Sequence, residues 1–267
     1  MGGVPGRTGP ERLEEPTSEL VSALAVREQA WAERPLVRDL YRSWYRMVVA
    51  TLGSAGGPTV ELGAGIGRFR EVEADALLTD IEPTPWSDVV ADAHALPFEA
   101  GEVGNLVLVD VFHHLADPTR FLDEARRVLR PGGRVVIVDP YCSAVSTPLY
   151  RRFHRERTDL AVPPLAPDPE AATDPLASNQ ARATLVFYRH RDELRRRWPE
   201  LPIVAERRFA LLAYPLSGGF TGRPLVSAGV GRRLLALEGI LRPLAPVLAF
   251  RCLIALERRG LDALHAT

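Results

Sequence analysis

Apolar residues first recur at helical spacing. Leu20, Leu24 and Trp31, then Leu36, Leu40, Trp44, Met47 and Val48, mark a helical stretch from 17 to about 52. Pro35 splits it in two, since it has no N–H to give to a helical ladder. Gly53, Gly56, Gly57 and Pro58 end it. The period then changes. Short apolar runs at 59–62, 76–79, 88–91, 106–111 and 134–138 read as strands, the fourth continuous enough to be buried on both faces. A helix is expected at 118–129, with Asp117 as its N-cap, Phe121, Leu122, Ala125, Val128 and Leu129 inward, and Pro131-Gly132-Gly133 as the turn that ends it. Strands alternating with helices imply βαβ units, right-handed crossovers and a doubly wound, mostly parallel sheet. Two more strands are expected at 203–212 and 249–257, around a Leu-rich helix at 230–241 that reads as a buried crossover helix or a membrane-surface element. Residues 1–16, rich in Gly, Pro and charge, read as a disordered tail. The stretch 143–200 holds many prolines and is too long for a simple connection, which marks it as a functional insertion with helical pieces near 148–158 and 191–197.

Composition narrows this picture. The chain has 267 residues, 46% hydrophobic and 25% charged, with a formal net charge of −1, which fits one large α/β domain and gives no reason to expect nucleic acid or an anionic membrane as partner. All 33 basic residues are arginine, so no lysine can serve as Schiff base, general base or phosphate ligand. Cys142 and Cys252 are far apart and suggest reduced thiols. The first residues lack a secretory-signal layout, so a cytoplasmic protein is expected. The apolar run 234–256 is interrupted by Glu238, Arg242, Arg251, Pro243 and Pro246, which argues against a membrane span.

The chemistry is concentrated in Glu61-Leu62-Gly63-Ala64-Gly65-Ile66-Gly67-Arg68, where a strand meets glycines and a helix is expected to begin. Arg68 stands where a dinucleotide fingerprint needs glycine, and a phosphate loop would need a lysine. The segment resembles motif I of class I S-adenosylmethionine (SAM)-dependent methyltransferases, [DE]-x-G-x-G-x-G, and the chain is similar to their small-molecule type. The resemblance implies a Rossmann-like seven-stranded sheet whose last strand is antiparallel, with SAM as cofactor held by Glu61, Gly63, Gly65 and Gly67. Asp80, 17 residues after Gly63 at the end of the second strand, suits the ribose hydroxyls, with Glu82 ranked behind it and Ile81 placed to pack on adenine. The segment 91–98 resembles the family's DA-x-x-LPF, which gives Asp92 the adenine amine and puts Ala93 beside it. Residues 108–115 resemble the end of strand four, which brings Asp110 against the cofactor and His113 and His114 near the methyl group. Residues 124–134 resemble the helix end EA-x-RVLRPGG. The match covers about 55–140 well. It departs at Pro83-Thr84-Pro85-Trp86, where prolines replace a helix and Trp86 could cover the adenine edge, and at Gly104-Asn105, which replaces an aromatic-Asp pair.

Methyl transfer needs a nucleophile held in line and, for an oxygen of high pKa, a general base. The candidates are His113, His114, His154 and Tyr150, the last two sharing a helix face. The two adjacent histidines show no third ligand at metal-site spacing, so no metal is expected. Tyr188, Tyr214 and Phe220 could line an apolar acceptor pocket. The domain plan is then a helical cap at 17–55 and a SAM-binding domain at 56–260, with the insertion 143–200 choosing a small-molecule acceptor. The rivals are a non-catalytic SAM-binding subunit and, less well supported, a nicotinamide-dependent oxidoreductase.

Overall fold

A computed structural model describes residues 18–174 and 177–260, so the expected tail, 1–16, lies outside the described residues. The chain opens on two helices, α1 (Ser18–Glu33) and α2 (Pro35–Val49), with Pro35 in the first turn of α2, where a missing N–H removes no helical bond. α2 buries Leu36, Val37, Leu40, Tyr41, Trp44, Tyr45 and Val48 along one side. That stripe packs on the sheet, so α2 is part of the core.

Seven strands form one sheet: β1 (Thr59–Leu62), β2 (Leu77–Asp80), β3 (Val89–Val90), β4 (Val103–Val109), β5 (Leu129–Pro140), β6 (Ile203–Phe209) and β7 (Arg251–Glu257). Their order is β3-β2-β1-β4-β5-β7-β6. β1 to β5 pair parallel, and β7 runs antiparallel to both β5 and β6, as expected of the last strand. Side chains alternate between two core faces. Leu106 and Leu108 of β4 pack with Phe121, Leu122 and Ala125 of α3 (Pro118–Val128). Val107 and Val109 face the opposite way, into the cluster that holds Trp44 and Val48. Asp117 caps α3, accepting from Thr119 N–H (2.9 Å) and Arg120 N–H (3.1 Å). On α3, Glu124 accepts from Leu96 N–H (2.8 Å) and Arg127 donates to the carbonyls of Leu96 (3.0 Å) and Phe98 (2.7 Å). The E-A-x-R motif thus pins the loop that follows β3.

Three elements differ from the sequence pattern. Pro131-Gly132-Gly133 is a bulged stretch inside β5, marked by a register shift against Val103 and Asn105. Gly132 N–H donates to Arg258 O (2.6 Å) and Arg258 N–H to Gly133 O (2.8 Å), so its backbone stays paired. The glycine turn leads into a single 3-10 turn, Arg68–Glu71, instead of a helix. Phe69 is fully buried there, and the chain turns back at once into β2. The expected crossover helix is α8 (Ala228–Leu237), preceded by α7 (Ala213–Ser217) and followed by a 3-10 turn and α9 (Ala245–Leu248); the side of α8 that meets the protein is narrow, since Gly231 is its one buried residue.

The insertion is built of α4 (Ser146–Phe153), α5 (Arg182–Thr184), which runs into a π-turn at Leu185–Arg189, and α6 (Arg191–Arg197). Buried polar groups fasten it. Arg182, 2% exposed, pairs with Asp168 at 3.5 Å, and Asn179 N–H donates to His113 O at 3.0 Å.

Candidate active site

The winding of the sheet reverses between β1 and β4, where the chain leaves the strand ends in opposite directions and opens a crevice. A cavity of about 800 Å³ lies there. Its floor is the turn after β1 and the residues after β4; its walls come from α1, α2, α4 and the loop around 214–225. Gly63, Gly65 and Gly67 have φ of +65°, +55° and +66°, the left-handed region that glycine enters without strain. A Cβ on Gly63 would stand 2.5 Å from Val111 Cγ2, and one on Gly67 2.7 Å from Trp86 Cβ. Trp86 therefore packs against the turn at Gly67.

Glu61 lines the cavity and is 2% exposed. Burial, with Asp80 nearby, pushes its carboxyl well above the usual range, and its Oε2 has no hydrogen-bond partner. Arg27 of α1 reaches over the turn, its Nη1 3.6 Å from where a Cβ on Gly65 would be, and it has no ion-pair partner among the described residues. Sequence reading missed Arg27, which carries no motif and arrives from a helix outside the family match.

Asp80 accepts from Gly65 N–H at 3.0 Å and Ile81 N–H at 2.9 Å, so the expected ribose ligand also fastens the glycine turn. Burial raises its pKa against the pull of those two bonds. Asp92 is exposed and holds His94 through N–H (2.8 Å) and Nδ1 (2.7 Å). Asp80, Ile81, Asp92 and Ala93 do not line the cavity; they form a strip along the ends of β2 and β3 that adjoins it at Gly65.

Asp110 lines the cavity and is held there by partners that the sequence did not name. It has φ of +58°, uncommon for a side chain other than glycine or asparagine. It pairs with Arg251 and accepts from Tyr41 OH at 2.6 Å. Arg251 also donates to Tyr214 OH at 2.6 Å and lies over the Tyr214 ring at 4.7 Å and the Trp44 ring at 5.4 Å. Burial alone would raise the Asp110 pKa; Arg251 and His113 overcome it and hold the carboxyl low.

The four catalytic candidates meet at the cavity wall. His113 is buried and donates from Nδ1 to Asp139 at 2.8 Å and from Nε2 to Glu156 at 3.2 Å. Burial would lower its pKa, but Asp139 and Glu156 raise it to about 10, so the ring is cationic. The His114 ring lies tilted against it, centroids 4.3 Å apart, and donates from Nδ1 to Ala177 O at 3.2 Å. Burial and the charge of His113 lower its pKa to about 4, which leaves a neutral ring with Nε2 as acceptor. Burial also lowers the pKa of His154, whose Nδ1 lies 3.5 Å from Gln180 Nε2. Tyr150 OH donates to Phe250 O at 2.5 Å and burial raises its pKa, so it is a poor base. Glu156 supplies the third donor that sequence spacing did not offer: it, His113 and His114 present ligand-type atoms within 4.8 Å of one another. Tyr214 and Phe220 line the cavity, whereas Tyr188 packs 5.0 Å from Tyr141, away from it.

Residues 60–137 match the family described as a methyltransferase domain. A demethylmenaquinone methyltransferase of Paenarthrobacter aurescens is 30% identical over 140 residues, 47% of this chain and 54% of that protein. One of Renibacterium salmoninarum is 26% identical over 180 residues, 62% and 70% of the two chains. A solved SAM-dependent methyltransferase of Thermotoga maritima shares the fold with a TM-score of 0.52, at 14% identity, over 91% of this chain and 100% of that one. The chain spans about half or less of the length of three curated relatives that it matches.

Proposed function

We propose that this chain moves a methyl group from SAM to an oxygen, nitrogen or carbon nucleophile of a small molecule. The observation that carries the reading is a pair of polar groups left without a protein partner at the glycine turn: the Glu61 carboxyl, whose Oε2 is buried and unpartnered, and the Arg27 guanidinium, which has no ion-pair partner among the described residues. The amino-acid end of SAM carries one ammonium and one carboxylate, which complement them. When bound, SAM supplies an electrophilic methyl group on a positively charged sulfur. Glu61 holds the ammonium, Arg27 the carboxylate, and the left-handed glycines let the ligand lie against the backbone. For the adenosine, Asp80 would offer its remaining lone pairs to the ribose, Ile81 and Ala93 would lie beside the base, and Asp92 would accept from the adenine amine. Relatives named as demethylmenaquinone methyltransferases support a small-molecule acceptor.

Calorimetric titration with SAM, S-adenosylhomocysteine and NAD tests this directly: the two sulfur nucleosides bind and NAD does not. Failure of both would sink the reading. Glu61→Gln should weaken SAM binding about 10- to 100-fold, the loss of one charge-assisted hydrogen bond. Burial raises the Glu61 carboxyl pKa and an ammonium beside it would lower it again, so binding should release protons and tighten as pH rises. Titration in buffers of different ionisation enthalpy reads that release, and it should vanish in E61Q.

The two histidines divide the proton chemistry. His113 is held charged, whereas His114 keeps a free nitrogen lone pair at neutral pH; environments that push like groups apart assign acid and base roles. His114 accepts the acceptor's proton as the methyl transfers. Its low pKa makes it a weak base, so His114→Ala should lower kcat by about 100-fold, the low end for general-base catalysis, with SAM affinity unchanged. An unchanged kcat would move the role to His154.

A further inference from the structure

More than half of the large exposed apolar residues among the described residues lie on two segments, α4 and the stretch from Leu225 to Val247. Leu237 (49% exposed), Ile240 (76%), Leu244 (51%) and Val247 (50%) follow at helical spacing from the end of α8 to α9. Val145 N–H donates to Val247 O at 3.2 Å, which ties α9 to the start of α4. α4 carries Leu149 and Phe153, the latter 75% exposed, and both line the cavity, as does the 71% exposed Leu225. Apolar surface thus runs from α8 and α9 to the cavity rim.

Charge is segregated onto the same segments. Residues 144–155 and 219–250 hold seven arginines and a single carboxylate, Glu238, and Glu238 is turned inward to accept from Leu212 and Ala213 N–H. Arg152, Arg155, Arg223, Arg233 and Arg242 are exposed and have no acidic partner among the described residues. A net charge of −1 for the whole chain conceals this cluster. A second copy of the chain is a poor occupant, because a two-fold contact would set these arginines against themselves. No described helix is long and apolar enough to cross a membrane.

We propose that this face docks on an anionic bilayer, with the apolar stripe in the headgroup boundary, the arginines on lipid phosphates and the cavity mouth toward the membrane. Short amphipathic elements bind in this way when apolar insertion and basic charge act together. The route it gives an apolar acceptor, from the lipid into the cavity, rests on the methyltransferase reading; the docking does not.

Sedimentation of the full chain with vesicles tests it, using phosphatidylcholine with or without about one-third phosphatidylglycerol. Binding is expected to the anionic vesicles, weaker with added salt and much weaker without phosphatidylglycerol. I240D/L244D should reduce it by about tenfold or more, and R233E/R242E should weaken it and make it less dependent on salt. Both pairs are exposed and outside the SAM site, so unchanged melting and SAM titration would separate lost docking from misfolding and from failure of the cofactor reading. No sedimentation with anionic vesicles, equal sedimentation of I240D/L244D, or light scattering that finds a dimer which I240D/L244D dissolves would overturn the proposal.

Discussion

Arg251→Ala should destabilise the protein by about 3–5 kcal/mol, the cost of removing one partner from a buried ion pair. Arg251 is 5% exposed, and without it the Asp110 carboxylate would keep one side-chain hydrogen bond, from Tyr41, and the more distant charge of His113, inside a wall of Trp44 and Tyr214 rings. Each kcal/mol is worth about 2–4 °C in melting temperature for a chain near this size, so thermal unfolding should show a drop on the order of 10 °C. Arg251→Lys should recover part of it, since an ammonium keeps the charge but not the planar stacking or the second bond to Tyr214. The double change D110N/R251M separates charge from shape. It removes both ions, and asparagine tolerates the left-handed backbone at 110. If the double variant melts well above R251A, the penalty is an orphaned charge. If it melts as low, the loss is one of packing, and the electrostatic account of this pair fails.

This pair shows what the sequence could and could not convey. Local pattern placed β1, α2, α3 with its Asp117 cap, and the bodies of β5 and β7, because period and capping chemistry act within a few residues; the antiparallel sense of β7 came from the family resemblance. It also located Glu61 and the three glycines, since a tight turn with left-handed backbone admits few other residues. The 3-10 turn after Gly67 was hidden: Phe69 buries itself in a core made by α2, a contact that no local window contains. Arg251 meets Asp110 from 141 residues away. One sign of it was present, an arginine opening a strand that is otherwise apolar, because an ion there requires a partner. Glu156 had a similar sign as the one acid among the arginines of 151–157. Neither sign names the partner: the pairing of β7 with β5 brings Arg251 to Asp110, and the packing of the insertion brings Glu156 to His113. The Leu-rich helix could be read as buried or as surface; the deciding fact is that Gly231 is its one buried residue.

The second large effect concerns pH. His113 binds its proton with a pKa raised from 6.5 to about 10, because Asp139 and Glu156 flank it. A raised pKa stabilises the fold fully below the unfolded value and loses that contribution as pH climbs through the folded one. Stability should therefore fall between about pH 6.5 and 10, by an amount on the order of the 3–5 kcal/mol of a broken buried pair. Few other groups compete in that window. The chain has no lysine, burial lifts Cys142 to about 11, and the buried tyrosines Tyr41, Tyr45 and Tyr150 are pushed above their ordinary range. Denaturant midpoints measured from pH 6 to 10 should decline for the native chain. His113→Gln should begin lower, since Asp139 and Glu156 lose the cation between them, and should lack most of the slope. A native chain whose midpoint is flat to pH 10 would mean that His113 is neutral, with a proton on one of the carboxylates instead. In that case His113 and His114 would no longer differ in charge, and the division of acid and base roles between them would have to be abandoned.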